Sequence, residues 1–77
     1  MNTPTLAIVV PCYNESAVFP HTLRTLSALL HELTATGEIS GDSYLLFIDD
    51  GSRDDTWQQI VAAQSAQIRG IKLSRNA

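Results

Sequence analysis

A short apolar run at residues 44–48 ends on two adjacent aspartates and a glycine, and residues suited to a helix start follow at once. Another apolar run, residues 6–10, closes on Pro11 and a polar loop. Continuous apolar runs of this length are typical of strands buried on both faces of a parallel sheet. Because ligands of open α/β sheets bind beyond the carboxyl ends of the strands, the two polar loops predict one shared site.

Helical periodicity follows the first run. Apolar residues recur at steps of three and four between Phe19 and Leu33, which predicts an amphipathic helix over about residues 16–36. Ser16 is the predicted N-cap and Gly37 the stop signal.

A second helix is predicted over about residues 55–68, capped by Asp54 and broken by Gly70. Residues 71–74 then read as a third, shorter strand. The predicted order is β-α-β-α-β, and its connections are long enough for parallel crossovers. The sequence therefore predicts an α/β fold with a parallel three-stranded sheet.

The connections also constrain the faces of this sheet. Crossovers are right-handed in nearly all proteins, so strands in the order 3-2-1 would place both helices on one face. The other face would expose either Leu6, Ile8 and Val10 or Ala7 and Val9, and an apolar face of that size is foreign to a finished soluble monomer. We therefore expect an incomplete domain, the amino-terminal part of a longer protein.

Composition excludes several classes of protein. The 77 residues carry a net charge of −3 with only five Lys and Arg, so a nucleic-acid partner is not expected. The single cysteine favours a reducing compartment, and we expect a cytoplasmic protein. Neither a signal peptide nor a membrane-spanning run is recognisable, so any membrane association would come from regions beyond residue 77.

Asp49 and Asp50 are the main candidates for ligand binding. Adjacent residues of an extended segment point in opposite directions, so we expect one to face the site while the other braces the loop. A carboxylate at this position can accept N–H donors from the edge of uracil or guanine. The alternative is that both acids only solvate the strand end.

The residues that follow the two acids are expected to build the turn and cap the helix; they are Ser52, Asp54 and Thr56.

The loop after the first strand offers complementary groups. Tyr13 presents an aromatic face on which a base can stack, Glu15 can accept from ribose hydroxyls, and Asn14 can bond the loop backbone. Cys12 is not expected to be a nucleophile, because the sequence places no histidine to activate it.

Other polar residues carry weaker signals. Arg75 follows the third strand at the same edge and could meet a phosphate or only solvent. His21 and His31 lie ten residues apart on one helix, too far for a shared metal. Neither a dinucleotide fingerprint nor a Walker A sequence is present, so bases and riboses are the parts of a nucleotide that these loops can hold.

With these residues identified, the chain resembles the start of a family 2 glycosyltransferase with the GT-A fold. Residues 9–15 look like the family's VVPxYNE phrase, and residues 48–56 look like its xDDGSxDxT phrase, with Asp55 where glycine is common. Residues 72–76 are similar to the LSRN phrase of the polyprenyl-phosphate (dolichol- or undecaprenyl-phosphate) sugar transferase subgroup.

The resemblance implies that residues 1–77 are the nucleotide-binding part of a Rossmann-like GT-A domain, ending before the family's metal-binding Asp-X-Asp. The donor would be a UDP- or GDP-sugar, and the acceptor would be a lipid phosphate at the cytoplasmic face of the inner membrane. A divalent Mg or Mn ion would take ligands mostly outside this chain, and these residues alone would lack turnover. The candidate nucleotide-binding residues are Pro11, Tyr13, Asn14, Glu15, Asp49, Asp50, Ser52 and Arg75, with Asn76 beside Arg75.

Two other functions stay open. Paired acids at a strand end also occur in receiver-like signalling modules, which bind magnesium and a phosphoryl group. Such a module would need an acceptor aspartate at the end of a further strand, whereas the third strand leads into Ser74-Arg75-Asn76. The other possibility is a remnant that binds nothing.

Overall fold

A computed structural model describes residues 3–73, and these residues contain five elements. They are β1 (Ala7–Cys12), α1 (Phe19–Ala35), β2 (Tyr44–Asp49), α2 (Thr56–Ala63) and β3 (Ile68–Lys72). The predicted β-α-β-α-β order and the α/β fold class are confirmed. Among the described residues, no helix combines the length and hydropathy needed to cross a bilayer.

The three strands form one parallel sheet in the order β1-β2-β3, as predicted. The register pairs Cys12 with Asp49 and Asp49 with Lys72. All three strands therefore end side by side at one edge of the sheet. The loops after β1 and β2 leave the sheet from neighbouring positions on this carboxyl edge.

Both helices cover the same face of the sheet. Leu45 and Phe47 of β2 are fully buried there, in one core with Phe19 of α1 and Ile60 of α2. The rings of Phe19 and Phe47 meet edge to face, with centroids 5.0 Å apart, a geometry that the ring quadrupoles favour. The central strand is thus the common packing surface for the two helices.

The opposite face of the sheet is open within residues 3–73. Val9 of β1 is 53% exposed and Ile71 of β3 is 45% exposed. Arg69 lies over the ring of Tyr44, 3.9 Å from its centroid, a cation–π contact at the border of this face. Of the two alternatives for β1, the structure selects Ala7 and Val9 as the open side.

Helix α1 starts later than predicted. Ser16 is not its N-cap; Val18 occupies that position and makes no side-chain cap bond. The amide of Ser16 donates instead to the Asp54 carboxylate at 3.2 Å. Pro20 falls in the first turn, where its missing N–H costs nothing.

Helix α1 ends where the sequence predicts. Gly37 adopts a left-handed φ of +79°. Its amide donates to Thr34 O at 3.1 Å, and the amide of Glu38 donates to Leu33 O at 3.1 Å. This pair of bonds is the Schellman motif, for which glycine is favoured because it lacks a Cβ.

Helix α2 is shorter than predicted, and the prediction for Gly70 was wrong. The helix ends at Ala63 because Gln64 turns to an extended conformation, with ψ of 138°. A tight turn follows, in which Ser65 and Ile68 exchange two backbone hydrogen bonds. β3 therefore begins at Ile68 rather than residue 71, and Gly70 lies inside the strand instead of breaking the helix.

Close packing explains this glycine. A Cβ built on Gly70 would lie 2.4 Å from Ile60 Cγ2 and 3.3 Å from Trp57 Cζ3. The absent side chain lets α2 settle against β3. Glycine in a strand often marks such a close approach.

We predict that Gly70→Ala lowers the free energy of unfolding by about 1–3 kcal/mol, because the added methyl overpacks a buried contact. Urea denaturation followed by Trp57 fluorescence measures the change. Gly41→Ala is the matched control, since nothing lies within 4 Å of a Cβ at that position, and it should stay within about 0.5 kcal/mol of wild type. Equal stability of both variants would contradict the packing assignment.

Candidate nucleotide-binding site

Two loops meet at the carboxyl edge of the sheet. The amide of Asp50 donates to Cys12 O at 2.9 Å, which continues the β1–β2 ladder one step past the strands. Tyr13 and Asp50 therefore begin their loops side by side, as the sequence predicts. Tyr13 is 46% exposed and Asp50 is half-buried.

A first relay of hydrogen bonds joins the two loops through Ser52. The Ser52 hydroxyl donates to Asp49 Oδ1, and the Ser52 amide donates to Asp49 Oδ2 at 3.3 Å. Because the hydroxyl proton is engaged, Ser52 Oγ is an acceptor toward the other loop, and the amide of Asn14 donates to it at 2.8 Å. The order of the relay is carboxylate, hydroxyl, amide.

A second relay of the same kind lies one residue further along. The Thr56 hydroxyl donates to Asp54 Oδ1 and accepts from the amide of Glu15 at 2.9 Å. Asp54 Oδ2 accepts from the amide of Ser16 at 3.2 Å. Thr56 is fully buried. Asp49 and Asp54 thus hold three consecutive amides of the loop after β1, two through a hydroxyl and one directly.

Side-chain amides complete the junction between the loops. Asn14 has a left-handed φ of +49°, a conformation that asparagine tolerates better than most residues. Its Oδ1 accepts from the amide of Arg53 at 2.7 Å. On the other side, Gln59 Nε2 donates to Ser16 O at 3.0 Å. The expectation that Asn14 bonds the loop backbone is confirmed.

The two adjacent aspartates have different surroundings, as their opposite directions predict. Asp49 has no exposed surface and braces the loop through Ser52. Asp50 occupies the next position and remains half-buried.

At the start of α2, Asp55 takes the N-cap position without a side-chain cap bond. Asp54 accepts a hydrogen bond from the amide of Thr56 at 2.9 Å. Asp54, the residue before the N-cap, therefore accepts a hydrogen bond from a backbone amide at the start of α2.

Of the remaining candidate residues, Pro11 and Glu15 lie among the described residues. Pro11 is exposed and pairs with Ile48 on the open side of the sheet, and Glu15 is half-buried at the loop junction. Arg75 and Asn76 lie outside the described residues. The structure thus brings together candidates from the first two loops.

Cys12 is a buried, protonated thiol. It is 2% exposed, and burial is the main cause that raises its pKa to about 11, helped by the negative charges of Glu15 and Asp49. Its Sγ donates to Val10 O at 3.6 Å. A thiolate, the reactive form, is therefore scarce at neutral pH, which agrees with excluding Cys12 as a nucleophile.

The described residues do not form a metal centre. Within residues 3–73, no cluster of three or more His, Cys, Asp or Glu side chains could hold an ion. Two of the aspartates nearest the edge are committed to protein donors, Asp49 to Ser52 and Asp54 to Thr56.

The junction between the loops is the feature that sequence reasoning missed. Turn-building roles were expected for Ser52 and Thr56, but not their bonds to the first loop. A signal was present, because a hydroxyl residue follows an aspartate at short spacing twice, at 49–52 and 54–56. Their partners are backbone amides, which every residue carries, so the sequence could not identify them.

The parallel sheet, with two helices on one face and joined polar loops at its carboxyl edge, defines a partial Rossmann-like α/β domain, a fold in which ligands generally bind at the strand ends. The chain belongs to Glycosyl transferase family 2, whose model matches residues 7–77. The resemblance inferred from the motifs is confirmed at this level.

Relatives support the family assignment. The chain is 41% identical over 75 residues to the "Uncharacterized glycosyltransferase YkoT" of Bacillus subtilis (strain 168), covering 95% of this chain. It is 35% and 40% identical, over 79 residues each, to proteins named undecaprenyl-phosphate 4-deoxy-4-formamido-L-arabinose transferase from Sodalis glossinidius and Shewanella sediminis. These alignments cover 99% and 97% of this chain. The chain spans about 22% of the length of each of these relatives.

Asp54 gives the loop junction a pH dependence. The hydroxyl bond from Thr56 is the main cause that lowers the Asp54 pKa from its ordinary value of 3.8 to about 2, with backbone donors of Thr56 and Ser16 adding to it. A carboxyl group whose pKa is lower in the folded chain stabilises the fold above its unfolded pKa. That stability is lost as pH falls through the folded pKa.

We therefore predict that the stability difference between wild type and Asp54→Asn is largest at pH 5 and shrinks between about pH 4 and pH 2. Urea denaturation of both proteins across this range measures it, and the other carboxyl groups are common to both. A difference that stays constant from pH 5 to pH 2 would contradict the role of the Asp54 charge.

Proposed function

We propose that the complete protein transfers a sugar from a nucleoside diphosphate sugar to an acceptor, and that the loops after β1 and β2 hold the nucleoside. The family assignment supports a glycosyltransferase. The supporting observation from the fold is the adjacency of Tyr13 and Asp50, whose loops start on either side of one backbone hydrogen bond. Together these two residues would offer an aromatic ring and a carboxylate, which suit the π-face and the edge N–H donors of a nucleobase.

The two residues would act on different parts of the base. Tyr13 offers an exposed ring against which the base stacks, a contact typically worth about 1–3 kcal/mol per base. The Asp50 carboxylate would accept the ring N–H of uracil or guanine, and hydrogen bonds to a charged group contribute about 1.5–3 kcal/mol. Glu15, which follows on the same loop, would accept from ribose hydroxyls.

We propose a lipid phosphate as the acceptor, because two of the relatives are named as undecaprenyl-phosphate sugar transferases. In this reaction the bond between the anomeric carbon and the donor diphosphate breaks, and a bond from that carbon to an acceptor phosphate oxygen forms. The nucleoside diphosphate leaves with the electron pair. The reaction would take place at a membrane surface.

We further propose that the complete enzyme uses Mg or Mn, with ligands mostly outside this chain. Within residues 3–73, no cluster of three or more His, Cys, Asp or Glu could hold the ion. Such an ion neutralises a leaving diphosphate. The residues described here would act on the base and ribose, so their binding of a nucleotide should need no metal.

The same observations weigh against a receiver-like module. A receiver would need its paired acids available to magnesium, whereas Asp49 is fully buried and bound to Ser52. The family match points to a glycosyltransferase instead. Failure of the chain to bind any nucleotide would favour the remnant.

We predict that the 77-residue chain binds one of UDP and GDP with or without manganese, and that Asp50→Ala weakens this binding about 10- to 100-fold, the loss expected for a charged hydrogen bond. Titration followed by Trp57 fluorescence gives the dissociation constants.

Asp42→Ala is the matched control for this substitution. It removes the same charge from an exposed loop before β2, at the opposite edge of the sheet, and should leave affinity unchanged. Circular dichroism establishes that each variant folds. Equal affinity of wild type and Asp50→Ala would remove Asp50 from the site, and absence of nucleotide binding to wild type would overturn the proposed function.

A further inference from the structure

We infer that Ser52 is a positioning residue for nucleotide binding, which acts by fixing Tyr13 relative to Asp50 rather than by touching the ligand. The inference rests on the proposed function, since it concerns the same site. It assigns to Ser52 a specific task that its place in a turn does not by itself suggest.

Tyr13 is held between two attachments to the neighbouring loop. On one side, Cys12 O accepts from the amide of Asp50 at 2.9 Å. On the other side, the amide of Asn14 donates to Ser52 Oγ at 2.8 Å. The backbone of Tyr13 therefore cannot shift relative to Asp50 without breaking one of these bonds. The first bond extends the sheet ladder, and the second depends on one side chain.

The Asp49 carboxylate, which belongs to the sheet, orients the Ser52 hydroxyl. Asp49 is the last residue of β2, is paired in register with Cys12, and has no exposed surface. Its carboxylate accepts a hydrogen bond from the Ser52 hydroxyl, so the oxygen lone pairs of Ser52 are aimed at the other loop. The relay thus fixes the backbone of Asn14, the residue after Tyr13, relative to the sheet.

The hydroxyl of Ser52 is already engaged in these two bonds, which is why positioning is the assigned task. Other contacts keep the loops together when it is removed. Thr56 still binds the amide of Glu15, and Asn14 Oδ1 still accepts from Arg53. Ser52→Ala is therefore expected to fold, with a Tyr13 that is less closely held.

The test compares Ser52→Ala with wild type in titrations with UDP, GDP and ADP as the probes. We expect Ser52→Ala to weaken binding of the preferred nucleotide about three- to tenfold, the worth of one neutral hydrogen bond, and to weaken ADP binding less. Selectivity for the base therefore falls. Ser52→Thr keeps the hydroxyl and should restore most of the affinity and selectivity.

Ser40→Ala is the matched control, because it removes an equivalent bond, from the Asp42 amide to Ser40 Oγ at 3.0 Å, in the loop before β2. It should leave all three affinities unchanged. Should Ser52→Ala fail to fold, Ser52→Cys takes its place, since a thiol of similar size donates and accepts weakly.

A double-mutant cycle separates positioning from direct contact. If Ser52 acts through Tyr13, Ser52→Ala has little further effect on nucleotide affinity in a Tyr13→Ala background. Additive losses, or equal losses for all three nucleotides without recovery in Ser52→Thr, would overturn the positioning role. Unchanged affinity of Ser52→Ala would also overturn it while leaving the proposed function standing. A wild-type chain that binds none of the nucleotides would overturn the proposed function itself.

Discussion

The junction between the two loops depends on one repeated interaction: a carboxylate accepts a hydrogen bond from a hydroxyl, so that the hydroxyl oxygen faces a backbone amide of the other loop. Asp49 does this through Ser52, and Asp54 does it through Thr56. A hydroxyl can rotate about its C–O bond and donate in several directions. A hydrogen bond to a carboxylate fixes the direction of its O–H bond. Two such relays give the loops after β1 and β2 one common geometry, so that a ligand would meet an ordered surface.

The sheet determines which carboxylates are available for this work. Side chains alternate along β2, so the register that buries Leu45 and Phe47 against the helices also carries Asp49 inward. Asp50, one residue later, is left at the edge beside Tyr13. The alternation of side chains along β2 therefore fixes both which residues pack in the core and which of the two aspartates is buried. The two adjacent acids therefore differ in structure, because Asp49 orders the loop through Ser52 while Asp50 lies within that loop.

Much of this could be predicted from the sequence, for reasons that are local. Apolar runs and helical periodicity indicate the order of elements, and Gly37 ends α1 because a left-handed position favours glycine. Where tertiary contacts decide, prediction failed. Gly70 reads as a helix breaker, but its lack of a side chain serves the contact with Ile60, and Ser16 reads as a cap although its amide is recruited by Asp54. The convergence of Tyr13 and Asp50 was predictable from parallel topology, whereas the amides that Ser52 and Thr56 would bind were not.

Native-state hydrogen exchange reports on the two relays themselves, because the relays hold the amides of Asn14 and Glu15. The relays predict that both amides are protected, with opening free energies close to that of the Asp50 amide at the end of the β1–β2 ladder. Exchange of Asn14 and Glu15 at the rates of an unfolded chain, while the amides of β2 stay protected, would show that the two loops move independently and would contradict the account.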